Sequence, residues 1–165
     1  MEYLDVVDED DNVIDKASRK DCHENKLLHR AVHIMILNSQ GELLLQKRTM
    51  NKDTNPGFWG SSASGHIDSG DKYRETAHRE LKEELGIETD LEEIEFIRCY
   101  FEEHRENIKI FLGKHDGPFT LNPEEVDAIE FVKPGKIKRE IRLYVRKFTP
   151  QFQQAFKKLC EVKGL

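Results

Sequence analysis

The stretch Gly65–Ile87 reads GHIDSGDKYRETAHRELKEELGI, and its spacing predicts a helix over Asp71–Leu85. Asp71 is suited to the N-cap, where a short carboxylate satisfies free backbone N–H groups, and Gly86 to the left-handed residue that closes a helix. At about 100° per residue, Ala77, Leu81 and Leu85 fall on one apolar stripe that should face a core. Glu80 and Glu84 border that stripe. Glu83 is close to both, so three carboxylates converge on one side of the helix. Like charges at this spacing are mildly destabilising when exposed, and burial raises their pKa values. A hard divalent cation removes the conflict: Mg²⁺ takes oxygen ligands and retains waters and substrate phosphate oxygens.

The flanking sequence supplies a layered frame for this helix. His29–Leu37 is rich in Val and Ile and reads as a strand, Asn38–Gly41 as a turn, and Glu42–Arg48 as a second strand. Thr49–Ser64 looks irregular, and a loop of that length in a compact domain is often functional. An N-terminal hairpin is expected over about residues 3–16, with Leu4–Val7 and Asn12–Asp15 flanking the turn-like Asp8–Asp11. Ile94–Phe101, Ile108–Leu112 and Ala128–Val132 read as further strands. Thr149-Pro150 opens a C-terminal helix over about 150–162, with Phe152, Ala155, Phe156 and Leu159 on its inner face. Strands and helices that mix without strict alternation predict an α+β layered fold, in one domain over residues 1–165.

Composition excludes several classes of function. The formal net charge of −6 argues against a general nucleic-acid binder. Lys133, Lys136, Lys138, Arg139, Arg142, Arg146 and Lys147 crowd one stretch, which reads as a solvated face balancing acidic neighbours. No apolar run approaches the roughly 20 residues that span a bilayer, and the N-terminus lacks the pattern of a signal peptide. Cys22, Cys99 and Cys160 form no paired framework, so reduced thiols and a cytoplasmic location are expected.

The spacing from Gly65 to Ile87 resembles the Nudix box, G-x5-E-x7-R-E-U-x-E-E-x-G-U with U aliphatic. Gly65, Arg79, Glu80, Leu81, Glu83, Glu84, Gly86 and Ile87 match, and Asp71 replaces the first Glu. Eight such matches arise by chance on the order of once in 10⁸ start positions. The resemblance implies a Nudix α/β/α sandwich with a mixed sheet and a loop–helix–loop motif. It assigns Glu80, Glu83, Glu84 and the Gly65 carbonyl to a Mg²⁺ or Mn²⁺ ion, with Arg79, Glu83 and Glu84 catalytic and Arg79 orienting a glutamate. It further implies hydrolysis of a diphosphate linkage in a small molecule, most directly a nucleoside di- or triphosphate or a nucleoside diphosphate joined to another group. Glu102, Glu103, Glu106, Glu124 and Glu125 are candidates for the general base. Phe58, Trp59, Tyr100 and Phe101 are candidates to stack on a base, and many members of the superfamily form homodimers.

The likeness runs from about Asp5 to Phe156. Leu43–Arg48, Lys52, Pro56-Gly57-Phe58-Trp59 and Ser64-Gly65-His66 resemble the isopentenyl-diphosphate isomerase branch. By that resemblance Arg48 and Lys52 hold substrate phosphate, and a second metal site is formed by Cys22 or His23 with His29, His66, His104 and Glu106, a donor set suited to Mn²⁺ or Zn²⁺. The isomerase needs a cysteine just before the box glycine, where this chain has Ser64. A hydroxyl is a poor substitute for a thiol in proton transfer, so hydrolysis is favoured over isomerisation and over a non-catalytic nucleotide-binding module.

Overall fold

The computed structural model covers residues 1–165. Its strands are β1 (Tyr3–Val7), β2 (Val13–Ser18), β3 (His29–Leu37), β4 (Leu43–Arg48), β5 (Trp59–Gly60), β6 (Ala63–His66), β7 (Glu92–Tyr100), β8 (Arg105–Lys114) and β9 (Val126–Val132). The helices are α1 (Arg19–Glu24), α2 (Tyr73–Leu85), α3 (Pro134–Leu143) and α4 (Pro150–Lys163).

The apolar run of β3 lies at the centre of a mixed sheet. It pairs in parallel with β8, from His29↔Glu106 to Leu37↔Lys114, and antiparallel with β6, from Ala31↔His66 to Ile34↔Ala63. The hairpin β1–β2 joins through Val6↔His29. On the other side β4 carries β5 and β9, and β7 pairs with β8. Strand alternation sends successive side chains to opposite faces. Ala31 and Met35 therefore pack with Phe148, Phe152, Phe156 and Leu159 at α4. Val32, Ile34 and Ile36 pack with Ala77, Leu81 and Leu85 of α2. Helices on both faces of a mixed sheet make the α/β/α sandwich. Each fully buried Leu, Ile or Phe contributes about 1.5–3 kcal/mol of hydrophobic stabilisation, so α2 is anchored by its apolar stripe alone.

Several local expectations change. Helix α2 begins at Tyr73, with Lys72 at its N-cap and no side-chain cap bond. Asp71 is drawn instead to Arg79 Nη1, 3.1 Å away. Gly86 closes the helix at φ 67° as expected. Thr149 caps α4, its Oγ1 accepting from Phe152 N at 3.2 Å. Within the supposedly irregular Thr49–Ser64, Trp59–Gly60 and Ala63 onward are strand. The basic stretch forms α3 because Ile137 turns inward and Arg146 pairs with Glu130 at 2.7 Å and Glu140 at 2.5 Å. Strand β8 extends past its apolar run because β3 and β7 flank Glu106 and Asn107 on both sides. No helix is long and apolar enough to cross a membrane.

Candidate active site

One polar cavity of about 490 Å³ opens where β3, β4, β6 and α2 meet, and most residues singled out from sequence line it, Arg79 and the buried His29 being exceptions. Its first wall is carboxylate. Strand β6 brings the Gly65 backbone directly against Glu80. A Cβ at residue 65 would lie 2.5 Å from Glu80 Cδ, so glycine allows the close approach and a side chain there would displace the Glu80 carboxylate. Glu84 is buried, and its Oε1 accepts from Gln46 Nε2 at 2.8 Å, while the same amide donates to the Ser62 carbonyl at 2.8 Å. Desolvation, then the hydrogen bond and charge shared with Glu84, push the Glu80 carboxyl up to about 9. Burial also raises Glu84. Glu83 remains at the exposed rim. Arg79 lies among four acids, at 3.1 Å from Asp71, 3.5 Å from Asp68, 3.7 Å from Glu80 and 3.8 Å from Glu83. Asp71 thus reaches the arginine of the box rather than the helix end.

The second wall is cationic and comes from the end of β4 and the loop after it. Arg48 donates through Nε and Nη2 to the Thr54 carbonyl, at 3.1 and 2.9 Å, and Lys52 pairs with Glu125. Burial is the first cause lowering the pKa of both cations. Arg19 of α1 adds a third positive charge, held by Asp53 at 2.8 Å. Nothing in the spacing of Arg19 marks it out in the sequence.

The third wall is imidazole. One donor atom from each of His23, His29 and His66 lies within 4.8 Å of the others. His104 packs on His23 with ring centroids 5.0 Å apart, and Glu106 Oε2 is 3.8 Å from His66 Nε2. His29 Nδ1 bonds the Leu27 carbonyl at 2.8 Å, which fixes its proton there and leaves Nε2 as a lone pair. The Nε2 atoms of His23 and His29 are buried and have no hydrogen-bond partner. Burial, then neighbouring cations and rings, lowers His23 to about 4 and His66 well below its ordinary value. Cys22 packs with Leu4 and Val6 instead, so His23 is the member that joins this set.

Of the five candidate bases, Glu106 and Glu125 line the cavity and Glu102, Glu103 and Glu124 do not. The four aromatic residues considered for base stacking are absent from its lining. Trp59 and Phe101 pack against the α4 core, and Tyr100 donates to Asn107 Oδ1 at 3.0 Å. His33, Ser61 and Gln151, none of which belongs to a motif, do line it. Period-two alternation on β3 is the one sequence signal that could have placed His33 on the same face as His29 and Ala31.

The sequence profile of the NUDIX domain matches residues 27–152. The chain is 38% identical to a Nudix hydrolase of Yersinia pestis named as uncharacterized, over 94% of this chain and 84% of that protein. It is 33% identical to an isopentenyl-diphosphate Delta-isomerase of Serratia proteamaculans, over 96% of this chain and 91% of the other. The crystal structure of DR0079 from Deinococcus radiodurans has the same fold, with TM-score 0.84, 23% identity and coverage of 95% and 98%. With three carboxylates of the box gathered on α2, and a profile match running from just before β3 into α4, this chain belongs to the Nudix hydrolases, a family that acts on small molecules with divalent cations.

Proposed function

We propose that the protein is a Mg²⁺-dependent hydrolase of a diphosphate linkage. The observation that carries this reading is the adjacent Glu80–Glu84 pair, Glu84 buried and Glu80 partly buried against the Gly65 backbone, in a cavity that also holds Arg48 and Lys52. Two adjacent carboxylates, one buried and one partly so, are a poor arrangement without a cation, and their oxygen donors suit a hard one. Glu80, Glu83, Glu84 and the Gly65 carbonyl would hold it, with Mn²⁺ the alternative ion. Such an ion neutralises phosphate charge and makes a bound water a better nucleophile. Arg48 and Lys52 bind phosphate oxygens, Lys52 exchanging its Glu125 partner for substrate. Arg79 orients the box glutamates. Glu106 and Glu125 are the carboxylates placed to take the proton of the attacking water.

A nucleoside di- or triphosphate, or a nucleoside diphosphate joined to a second group, remains the broad substrate class. Because no Phe, Tyr or Trp lines the cavity and its imidazoles are packed on one another or bonded to Ser61, a base would lie outside it. The isomerase reading is disfavoured by Ser64, which stands where a thiol is needed.

The imidazole wall forms a second metal site in this reading. Its support is the pair of buried, unpartnered ring nitrogens on His23 and His29, beside His66, His104 and the Glu106 carboxylate. This donor set suits Mn²⁺ or Zn²⁺. Elemental analysis of protein purified without added metal is expected to find one of them near stoichiometry.

The central test is phosphate release from a panel of diphosphate compounds with Mg²⁺. Turnover in Glu84→Gln should fall by roughly 100-fold or more, the scale on which a lost transition-state interaction reads out. Undiminished turnover in that variant would sink the carboxylate-site reading.

A further inference from the structure

We infer that the organic group held in this cavity beside the diphosphate is polyhydroxylated, a sugar or polyol, rather than a nucleobase or a hydrocarbon. The inference rests on the diphosphate reading above and extends it to the other half of the substrate. Small-molecule sites are ordinarily lined mostly by apolar and aromatic side chains, with few polar groups. Here the lining inverts that pattern. Of 24 residues around about 490 Å³, the sole hydrophobic one is Ala31.

The polar groups away from the carboxylate wall are built into the fold. His33 lies on β3 opposite Ser64 of β6. Its Nδ1 is engaged by Ser61 Oγ at 2.7 Å, which leaves Nε2 for a ligand. Gln151, at the start of α4, donates through Nε2 to Glu106 Oε1 at 3.3 Å and keeps its carbonyl oxygen. Both residues are less than one-tenth exposed. The Ser64 hydroxyl and the Asn122 amide also line the cavity.

Physical chemistry selects the partner. A hydrocarbon covering these groups would strip their water and return no hydrogen bond, at about 1–3 kcal/mol for each group left unpaired. A base stacks on a broad π-face or apolar surface, whereas the rings lining this cavity are imidazoles, His23 packed edge-on against His66 and His104 and His33 engaged by Ser61. Sugar hydroxyls donate and accept at once, which matches a wall of mixed imidazole, amide and hydroxyl groups. In the reaction, water adds to the terminal phosphorus and the bridging P–O bond breaks. Sugar phosphate and inorganic phosphate leave, and the water's proton passes to a cavity carboxylate.

The test compares three probes that share a terminal diphosphate: 5-phosphoribosyl 1-diphosphate, ADP and isopentenyl diphosphate. Calorimetry uses Glu84→Gln protein with Mg²⁺, so that the probes survive, and kcat/KM is measured on the unaltered protein. The sugar diphosphate should bind at least tenfold more tightly than isopentenyl diphosphate and at least as tightly as ADP, whose own ribose adjoins its diphosphate, and show the same preference in kcat/KM. Gln151→Leu should erase that preference. His33→Gln, which keeps a hydrogen-bonding side chain, should retain more of it than His33→Leu, with melting temperatures confirming that each variant is folded. Tighter binding of ADP than of the sugar diphosphate, equal or tighter binding of isopentenyl diphosphate, or no binding of the sugar diphosphate overturns the inference. Preferential binding of the sugar diphosphate without turnover of any probe supports the subsite and overturns only the hydrolase reading.

Discussion

The carboxylate and imidazole walls face one cavity, yet they are assembled in opposite ways. Glu80, Glu83 and Glu84 sit within five residues on α2, so helical periodicity alone brings them together. The imidazole wall draws His23 from α1, His29 from β3, His66 from β6, His104 from the β7–β8 turn and Glu106 from β8. The first wall can be derived from local geometry, whereas the second exists only once the sheet has formed its register, with His29 opposite Glu106 and His66 opposite Ala31. They also differ in electrostatics. The carboxylate wall concentrates like charge under burial, while the imidazole wall offers lone pairs and one carboxylate. Removing a ligand should therefore stabilise the first wall without metal and loosen the second.

The largest expected effect lies at Glu80. In metal-free protein its carboxyl is raised from an ordinary value near 4.5 to about 9. The folded state then holds a proton that the unfolded chain releases above about pH 4.5, so stability is greatest at low pH and falls as pH rises toward 9. Chelator-treated protein should lose several kcal/mol across that window, read as a fall in Tm of roughly 10 °C. Added Mg²⁺ should restore it at pH 8. Glu80→Gln should flatten the pH profile while lowering turnover roughly 100-fold or more. A Tm that rises with pH in the metal-free protein would contradict the buried like-charge pair.

This asymmetry also marks how far the sequence can be read. The acidic helix, the central strand His29–Leu37, the C-terminal helix and its Thr149 cap are set by periodicity and capping within a few residues. Arg48 and Lys52 were legible through resemblance, and the structure brings both into the cavity. Arg19, His33, Ser61 and Gln151 were not, because each acquires its place from pairing between distant segments. Asp71 was misplaced for a related reason. Capping rules see the helix end, but the ion pair with Arg79 eight residues away competes for the same carboxylate. Trp59, Tyr100 and Phe101 illustrate the converse: aromatic side chains near a functional loop are here committed to packing or to a structural hydrogen bond, while Phe58 lies under the Lys147 ammonium.

At the imidazole wall, His29→Ala should act on metal content before activity. Its Nε2 is buried and unpartnered, while Nδ1 is fixed by the Leu27 carbonyl. Losing one well-oriented donor from a multidentate site should reduce Mn²⁺ or Zn²⁺ retention by roughly 10- to 100-fold, the scale of ligand-shell defects. Metal titration checks this directly. If both walls serve one reaction, kcat/KM should fall about tenfold along with retention. Unchanged activity after metal loss would separate the two walls and leave the carboxylate side as the whole catalytic centre.

The smallest expected effect is at Asp71, where the chain departs from the box. Its carboxylate shares Arg79 with Asp68, Glu80 and Glu83, and the pair is partly exposed, so its own contribution to stability is about 1 kcal/mol or less. Asp71→Asn removes the charge and keeps the shape. Arg79 then leans on its remaining acids, which should lower kcat by about three- to tenfold with little change in KM or Tm. Asp71→Glu restores the charge on a longer arm and should recover most of the rate. If Asp71→Asn and the parent protein turn over alike, Arg79 is held well enough by Asp68 and the helix carboxylates. The box glutamate would then be dispensable on this scaffold, and the working part of the carboxylate wall would begin at Arg79.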